Sequence, residues 1–282
     1  MKSMNLFSDS SEDVVDLRYL DWEVSKISPG TPGMFLKSYE QIDNELYYYK
    51  MSNFDSARGF FGHESLNEII AKNVAKLLGI DCLEYELIPC KVNLFSKEYT
   101  TYVTKSKNFR KKGEDKMSLE TFYELNHHES EPVLEFLERK GFQDVISDMF
   151  LLDWLICNRD RHGANIEVIA SANSYRPAPL FDHGLSFMFS CYNSIENMKA
   201  FNPLQDLPVN NYLGSRILSE NLNLVNEDTK ERFFKAKFED AVLLEGVQIA
   251  LNSMPSEFSD YVIKMIKERV KYAKDFFNNQ SI

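Results

Sequence analysis

The sequence predicts an α+β fold with two lobes, a small β-rich N-terminal lobe and a larger helical C-terminal lobe. Segments rich in aromatic and β-branched residues cluster in about the first hundred positions, with one amphipathic helix among them. A charged connector that contains glycine follows, and beyond it apolar residues recur at the spacing of buried helices. These patterns place the N-terminal lobe at residues 13–106, the hinge at 107–116 and the C-terminal lobe at 117–280.

The composition is that of a globular protein, and it narrows the classes of partner. The 282 residues are 44% hydrophobic and 27% charged, which suffices for one large domain or two lobes. The net charge is −11, with 43 acidic against 32 basic side chains, so direct nucleic-acid or membrane binding is not expected. A small phosphorylated ligand stays compatible with this charge, because it needs only a local cluster of donors.

Cysteine usage and hydropathy indicate the compartment. The four cysteines, Cys82, Cys90, Cys157 and Cys191, are far apart and form no CxxC pair, which is typical of a reducing cytosol. No apolar run approaches the length of a membrane span, and the first residues lack the apolar core of a signal peptide. We therefore expect a soluble, cytoplasmic protein.

The N-terminal lobe begins with strand-like segments at residues 14–19, 34–39 and 45–51. Between the first two lies a turn of small residues, 25–33, whose hydroxyls and backbone N–H groups could face phosphates. Its candidate ligand-binding residues are Ser28, Gly30, Thr31 and Gly33. A plain hairpin loop is the alternative. The order of strand, glycine-containing turn, strand and then a lysine, Lys50, in a third strand is that of a kinase nucleotide lobe.

Lys50 has two interpretations. It can be an exposed lysine that discourages edge pairing, or a phosphate-binding lysine held by a carboxylate on a helix. An amphipathic helix at residues 62–79 offers Glu64 and Glu68, which share a face at i, i+4 spacing. We favour Glu68 as the partner of Lys50, because it lies deeper in the helix. Glu64 lies near the N-terminus, where the helix dipole stabilises a carboxylate whether or not it pairs with the lysine.

Further elements follow along the chain. Two more strands are expected at residues 83–89 and 99–105, which complete a small antiparallel sheet. The expected helices of the second lobe are 118–125, 132–140, 142–156, 228–238, 238–252 and 256–278. The segment 186–211 is irregular and aromatic, where an activation or substrate-binding segment is expected.

The chemistry is concentrated in residues 151–187. A buried helix ends there in Asn158-Arg-Asp160-Arg-His162-Gly-Ala-Asn165, and a short β-branched segment then leads to Phe181-Asp182-His183-Gly184. Asp160 can orient or deprotonate a hydroxyl, while Asn165 and Asp182 offer hard oxygen ligands to Mg²⁺. This spacing suits phosphoryl transfer, although each residue alone could simply cap a turn. His162 and His183 lack helical zinc spacing, and we expect them to orient the loop backbone.

These motifs resemble the HipA-like serine/threonine kinases, a distant branch of the protein-kinase-like fold. By motif, the resemblance implies that Asp160 is the catalytic aspartate and that Asn165 and Asp182 are metal ligands. The order Phe181-Asp182-His183-Gly184 departs from the usual Asp-Phe-Gly signature of kinases. The resemblance covers most of the chain, most strongly over 28–88 and 151–187, and the chain looks like a compact form without an extra N-terminal domain.

The resemblance implies an ATP- and Mg²⁺-dependent kinase that phosphorylates a protein Ser/Thr hydroxyl. In that picture Lys50 and the 30–33 turn hold the phosphates, and a hydroxyl of Ser25, Ser28 or Thr31 is a candidate autophosphorylation site. A protein substrate is expected, and an antitoxin-like or regulatory protein is a further candidate partner. Two alternatives stay open: a small-molecule kinase of the antibiotic or sugar type, and a nucleotide-binding pseudokinase that acts as a partner-binding module.

Overall fold

The structure is a computed structural model that describes residues 14–24, 35–56, 59–60, 62–172, 174–191, 194–252 and 257–280. The predicted phosphate-binding turn lies outside the described residues, and so do its candidate residues Ser25, Ser28, Gly30, Thr31 and Gly33.

Within this part of the chain, the long strands precede all but one of the helices, which is the order expected of two lobes. The strands are β1 Val15–Asp16, β2 Glu23–Val24, β3 Leu36–Ile42, β4 Glu45–Met51, β5 Phe54–Asp55, β6 Gly59–Phe60, β7 Tyr85–Leu94, β8 Lys97–Lys107, β9 Asp115–Ser118, β10 Asp160–Arg161, β11 Glu167–Ala170, β12 Tyr175–Pro177 and β13 Asn210–Asn211. The helices are α1 Glu64–Leu77, α2 Leu119–Asn126, α3 Val133–Arg139, α4 Gln143–Ile156, α5 Ile195–Ala200, α6 Glu227–Lys235, α7 Asp240–Leu243, α8 Gln248–Leu251 and α9 Glu257–Gln280.

A six-stranded sheet with the order β1-β7-β8-β4-β3-β2 forms the N-terminal lobe. All neighbouring strands in it are antiparallel except β1 and β7. The β3–β4 hairpin turns at Asp43 and Asn44, whose φ angles are 48° and 65°. Asp and Asn tolerate this left-handed conformation better than other residues with a side chain, so the sequence itself specifies the turn and the register of β4.

One face of this sheet carries the core of the lobe. Leu36 on β3 and Tyr49 and Met51 on β4 are buried there. Because successive side chains of a strand point to opposite faces, Lys50 lies on the other face. That face is turned toward α1 and the C-terminal lobe.

Helix α1 joins the two lobes. Its apolar residues belong to the same hydrophobic cluster as those of α4 and α9. Gly79 ends the helix with φ +66°, as a glycine in the left-handed region commonly does. The buried Asn73 donates from Nδ2 to the carbonyl oxygens of Leu243 and Glu245, at 3.0 and 2.9 Å. These bonds fasten the helix of the first lobe to the chain of the second.

The centre of the C-terminal lobe is α4, which is buried along most of its length. Trp154 on α4 donates from Nε1 to the Arg269 carbonyl of α9 at 3.1 Å. The fully buried Arg269 guanidinium lies 4.3 Å from the Trp154 ring centroid and donates back to the Trp154 carbonyl at 2.8 Å. The two helices are therefore joined by reciprocal contacts as well as by apolar packing.

Several elements differ from those predicted. The strand expected at 14–19 contains only two paired residues, Val15 and Asp16. The helix expected at 238–252 was wrong as a single element, because Gly246 adopts φ +80° and separates α7 from α8. No pattern indicated β9, which pairs with β11 in the C-terminal lobe. Among the described residues, no helix combines the length and apolar character that crossing a membrane requires.

We expect Asn73→Ala to destabilise the protein by about 1–3 kcal/mol, because it leaves the buried Leu243 carbonyl and the partly buried Glu245 carbonyl without their donor. Urea unfolding followed by circular dichroism measures this change. The control is Lys76→Ala, an exposed position of the same helix, which we expect to stay within about 0.5 kcal/mol of the parent protein. Equal stability of the two variants would contradict the proposed fastening role.

Candidate active site

The central feature of the site is a lysine between two carboxylates. Lys50 Nζ lies 3.1 Å from Glu68 Oε1 on α1, and it also pairs with Asp182 Oδ1 from the C-terminal lobe. Glu64, the other candidate, accepts hydrogen bonds from Asn53 instead, at 3.0 Å from the backbone N and 2.6 Å from Nδ2. The lysine is therefore paired with Glu68 and not with Glu64.

Burial and charge act against each other in this cluster. Burial opposes the ammonium of Lys50, but Asp182 and Glu68 outweigh it and raise the pKa of Lys50. Burial likewise opposes the Asp182 carboxylate, yet the charge of Lys50 lowers the pKa of Asp182 below its ordinary value. The pKa of Glu68 is raised, chiefly because the group is buried. Lys50 and Asp182 are thus held as an ion pair, with Glu68 as the weaker acid.

The backbone around Asp182 is fixed by α1. Asp182 has φ +60°, a conformation unusual for a residue with a side chain, and its N–H lies 3.4 Å from the Tyr85 hydroxyl. The next N–H, of His183, donates to Glu68 Oε2 at 2.8 Å, and the Gly184 carbonyl accepts from Asn67 Nδ2 at 2.7 Å. Adjacent residues of one helix therefore hold the turn that carries the aspartate.

Asp160 and Asn165 lie in a second loop, after α4. Asp160 Oδ1 accepts from Asn210 Nδ2 at 2.7 Å, and its side chain keeps 27% of its area exposed. Asn165 is buried and donates from Nδ2 to the Asp160 carbonyl at 2.9 Å. This bond fixes the orientation of the amide and leaves Asn165 Oδ1 as the atom that can serve as a ligand.

His162 orients the backbone of this loop. Its Nδ1 accepts from the Ala164 N–H at 3.2 Å and so caps the short 3-10 turn Gly163–Asn165. In the neutral imidazole the proton then resides on Nε2, which lies 3.8 Å from Asp160 Oδ2. The separation is too long for a hydrogen bond, and the contact of His162 with Asp160 is electrostatic.

A buried guanidinium connects the two loops. Arg161, 1% exposed, pairs with Asp153 of α4, from Nε to Oδ2 at 2.9 Å and from Nη2 to Oδ1 at 2.7 Å. Its Nη1 donates to the carbonyls of Phe181 and Asn165, at 3.0 and 3.2 Å. The residue preceding Asp182 and the candidate ligand Asn165 are thus held by one side chain.

Sequence reasoning did not find this connection. Asp153 stands within an apolar stretch of α4, and a carboxylate there requires a buried partner. That signal was present in the sequence, but it did not indicate which cation the partner is. Asn158 completes the group: its Nδ2 donates to Asp153 Oδ1 at 2.9 Å, and its Oδ1 accepts from the Asp160 N–H at 3.2 Å.

His183 is buried beside the lysine cluster. Neither of its ring nitrogens has a hydrogen-bond partner among the described residues, and Nδ1 lies 3.8 Å from Glu68 Oε2. Burial, assisted by the charge of Arg161, holds the pKa of His183 well below its ordinary value. The imidazole is therefore neutral in the folded protein at physiological pH.

The donor set fits Mg²⁺ better than a transition metal. Asp182 offers a carboxylate and Asn165 an amide oxygen, the hard ligands that Mg²⁺ shares with substrate phosphates. In the described part of the chain, no group of three or more His, Cys, Asp or Glu side chains could enclose a metal ion. A metal held by these residues would therefore need oxygen ligands from its substrate as well.

Comparisons with known proteins bear on the fold. No family model matches the chain, and no curated protein matches it. The proinflammatory kinase CtkA of Helicobacter pylori aligns with a TM-score of 0.59 and 18% identity, over 92% of this chain and 96% of that one. HipA of Shewanella oneidensis MR-1, solved with HipB and operator DNA, aligns with a TM-score of 0.47 and 15% identity, over 89% of this chain and 67% of that one.

The structural similarity to both proteins extends over most of the chain. The match to the Helicobacter pylori kinase shows that the chain has a kinase-like fold, with the β-rich lobe first and the helical lobe second. The fold class predicted from the sequence is therefore confirmed.

We expect Arg161→Met to destabilise the protein by about 3–5 kcal/mol, because it leaves the Asp153 carboxylate buried without its partner. The double variant with Asp153→Leu should recover part of this loss. Chemical denaturation measures both changes. The control is Lys235→Met, which breaks an exposed pair with Glu231 and should have little effect. A loss below about 1 kcal/mol for Arg161→Met would contradict the connecting role.

His183 predicts a pH dependence of stability. Its pKa in the folded state lies below the unfolded value of about 6.5, so the unfolded chain binds a proton that the folded protein excludes. Stability is therefore present above pH ~6.5 and falls as the pH drops, by at most about 1.4 kcal/mol per pH unit from this group. We expect His183→Leu to make the decline between pH ~6.5 and ~5 shallower.

Unfolding free energies at several pH values measure this slope. The exposed His128, replaced by Leu, is the matched control and should leave the slope unchanged. Burial also lowers the pKa of His63, to about 4, so part of the decline should persist in both variants. If the unfolding free energy of His183→Leu changes with pH as steeply as that of the parent protein, protonation of His183 does not contribute to the decline.

Proposed function

We propose that this protein is an ATP- and Mg²⁺-dependent phosphotransferase whose acceptor is a protein Ser or Thr hydroxyl. The observation that carries the proposal is the pairing of Lys50 with both Glu68 and Asp182, which brings residues of the two lobes to one cleft. A lysine on a strand, held by a helix carboxylate next to a metal-binding aspartate, is the arrangement by which protein kinases bind nucleotide phosphates.

In this proposal Lys50 binds the phosphates and Glu68 holds the lysine in position. Glu68 is 1% exposed and is itself fixed by the His183 N–H, so it cannot follow the lysine far. Asp182 would exchange its contact with Lys50 for a metal ion, and Asn165 Oδ1 would be a second ligand. When bound, Mg²⁺ neutralises charge on the phosphates during transfer.

Asp160 is the proposed catalytic residue. One carboxylate oxygen is held by Asn210, which leaves the other to accept the hydrogen of an acceptor hydroxyl. Its partial exposure lets an acceptor reach it from outside. Catalysis would then consist mainly of positioning and of charge neutralisation.

A protein acceptor is the choice implied by the family resemblance, and the solved kinase from Helicobacter pylori supports it only through its fold. A small-molecule acceptor stays the alternative, since no described residue identifies the acceptor. The pseudokinase alternative is weakened because Lys50, Glu68, Asp160, Asn165 and Asp182 are all chemically competent. An antitoxin-like or regulatory partner, autophosphorylation in the 25–33 loop and a cytoplasmic location stay predictions.

Transfer of labelled γ-phosphate from ATP to proteins of a cell lysate tests the proposal. We expect labelling that requires Mg²⁺. Asp160→Asn is nearly isosteric and should retain ATP binding while its labelling rate falls about a hundredfold or more. Asp275→Asn, at an exposed position of α9, is the matched control and should label as the parent protein does.

Two outcomes would overturn these assignments. If the folded parent protein binds ATP but transfers no phosphate to any acceptor, the pseudokinase alternative is correct. If Asp160→Asn transfers phosphate at the parent rate, Asp160 is not the catalytic residue.

A further inference from the structure

A second lysine lies opposite Lys50 in the sheet. Lys37 of β3 is the Cα partner of Lys50 in the antiparallel ladder of β3 and β4. Its neighbours Leu36 and Ser38 are buried on the core side, and Ser38 Oγ donates to the Asp21 carbonyl at 2.7 Å. Strand alternation therefore places the Lys37 side chain on the same face as Lys50.

The charged groups around Lys50 provide little positive charge for a phosphate chain, and Lys37 can add to it. Lys50 carries one positive charge and is paired with two carboxylates, Glu68 and Asp182. With both acids ionised, the three groups sum to one negative charge, which repels a polyanion. A divalent metal ion would bring the cluster to one positive charge, which is still fewer charges than a triphosphate carries, so a further cation on the same face would strengthen its binding.

Lys37 is an available cation on this face. Among the described residues it has no carboxylate within ion-pair distance, and its side chain is exposed. Lys116, whose charge also acts on Lys37, is already paired with Glu167 at 2.5 Å. Lys105 and Lys107 of β8 stand opposite Tyr49 and Tyr47 of β4, so they lie on the face of the sheet away from Lys50.

Charges from both lobes act on the Lys37 amine. Although Lys37 keeps solvent-exposed surface, the protein around its amine partly desolvates it. This desolvation, followed by the charge of Lys50, lowers the pKa of Lys37, and Lys116 of β9 adds to this. Asp182 and Glu68 act in the opposite direction. An anion bound on the face that Lys37 and Lys50 share would relieve the repulsion between the two lysines.

We propose that Lys37 is a second phosphate-binding lysine, whose ammonium contacts the phosphate chain of the nucleoside triphosphate held by Lys50. The inference rests on the proposed function, because it concerns the same nucleotide. Lys50 then acts on the inner side, where Glu68 holds it. Lys37 acts on the outer side and supplies the positive charge that the inner cluster lacks.

Nucleotide binding by the full chain tests this proposal. Dissociation constants for MgATP and for adenosine are measured by calorimetry on the parent protein, Lys37→Met and Lys37→Arg. We expect Lys37→Met to bind MgATP about tenfold more weakly, which corresponds to a lost charged hydrogen bond, and to bind adenosine unchanged. Lys37→Arg retains the charge and should stay within about threefold of the parent protein.

Lys97→Met is the matched control. Lys97 is exposed at the far hairpin of the same sheet, seven positions along β8 from Thr104, the partner of Lys50 in that strand. At about 3.3 Å per residue it lies too far from the cleft to touch a nucleotide held there. We expect its affinity for MgATP to equal that of the parent protein.

The outcomes separate the two proposals. If the parent protein binds MgATP and Lys37→Met binds it equally well, the Lys37 proposal is overturned and the proposed function stands. An equal loss of MgATP and adenosine affinity in Lys37→Met also overturns it, because the whole cleft would then be disturbed. If the folded parent protein binds no MgATP, the proposed function fails and the role of Lys37 fails with it.

Discussion

The candidate site depends most on the buried pair of Arg161 and Asp153. Taking two charges out of water is unfavourable, and such a pair is tolerated only when its remaining hydrogen-bonding groups are satisfied. Here the guanidinium makes four hydrogen bonds, two to Asp153 and two to backbone carbonyls. The desolvation penalty is offset by bonds that also set the distance between the Asn165 loop and the Asp182 turn. Stability and site geometry therefore rest on the same contacts.

The local order of the chain made much of this site predictable. Lys50 lies in a strand whose bounds match the predicted 45–51, and Glu68 is in the next helix, so few partners were available. The spacing of Asp160 and Asn165 is local as well, and one hydrogen bond joins them across five residues. Fold class followed from the strand-rich first hundred residues and the helical periodicity beyond them.

What could not be predicted depends on contacts between distant parts of the chain. Asn67 donates a hydrogen bond to the Gly184 carbonyl, 117 residues away, and no periodicity in either segment predicts that contact. The register of β3 and β4 could not be predicted either. Lys37 stands opposite Lys50 because the turn lies at Asp43 and Asn44, which selects one pairing of the strands among several. The single helix expected at 238–252 was wrong because the spacing of apolar residues does not show that Gly246 adopts φ +80°.

The attachment of α1 to the second lobe has a consequence for how activity could be controlled. A helix that swings away would withdraw Glu68 from Lys50 and disable the site. In this chain such a swing would also break the two bonds from Asn73 to the 243–245 segment, along with the bonds from Asn67 to the carbonyls of Gly184 and Ser186. At about 1 kcal/mol each, these bonds oppose the motion by several kcal/mol. The lysine and glutamate are thus preassembled by the architecture, and an on–off signal would have to act on ligand entry.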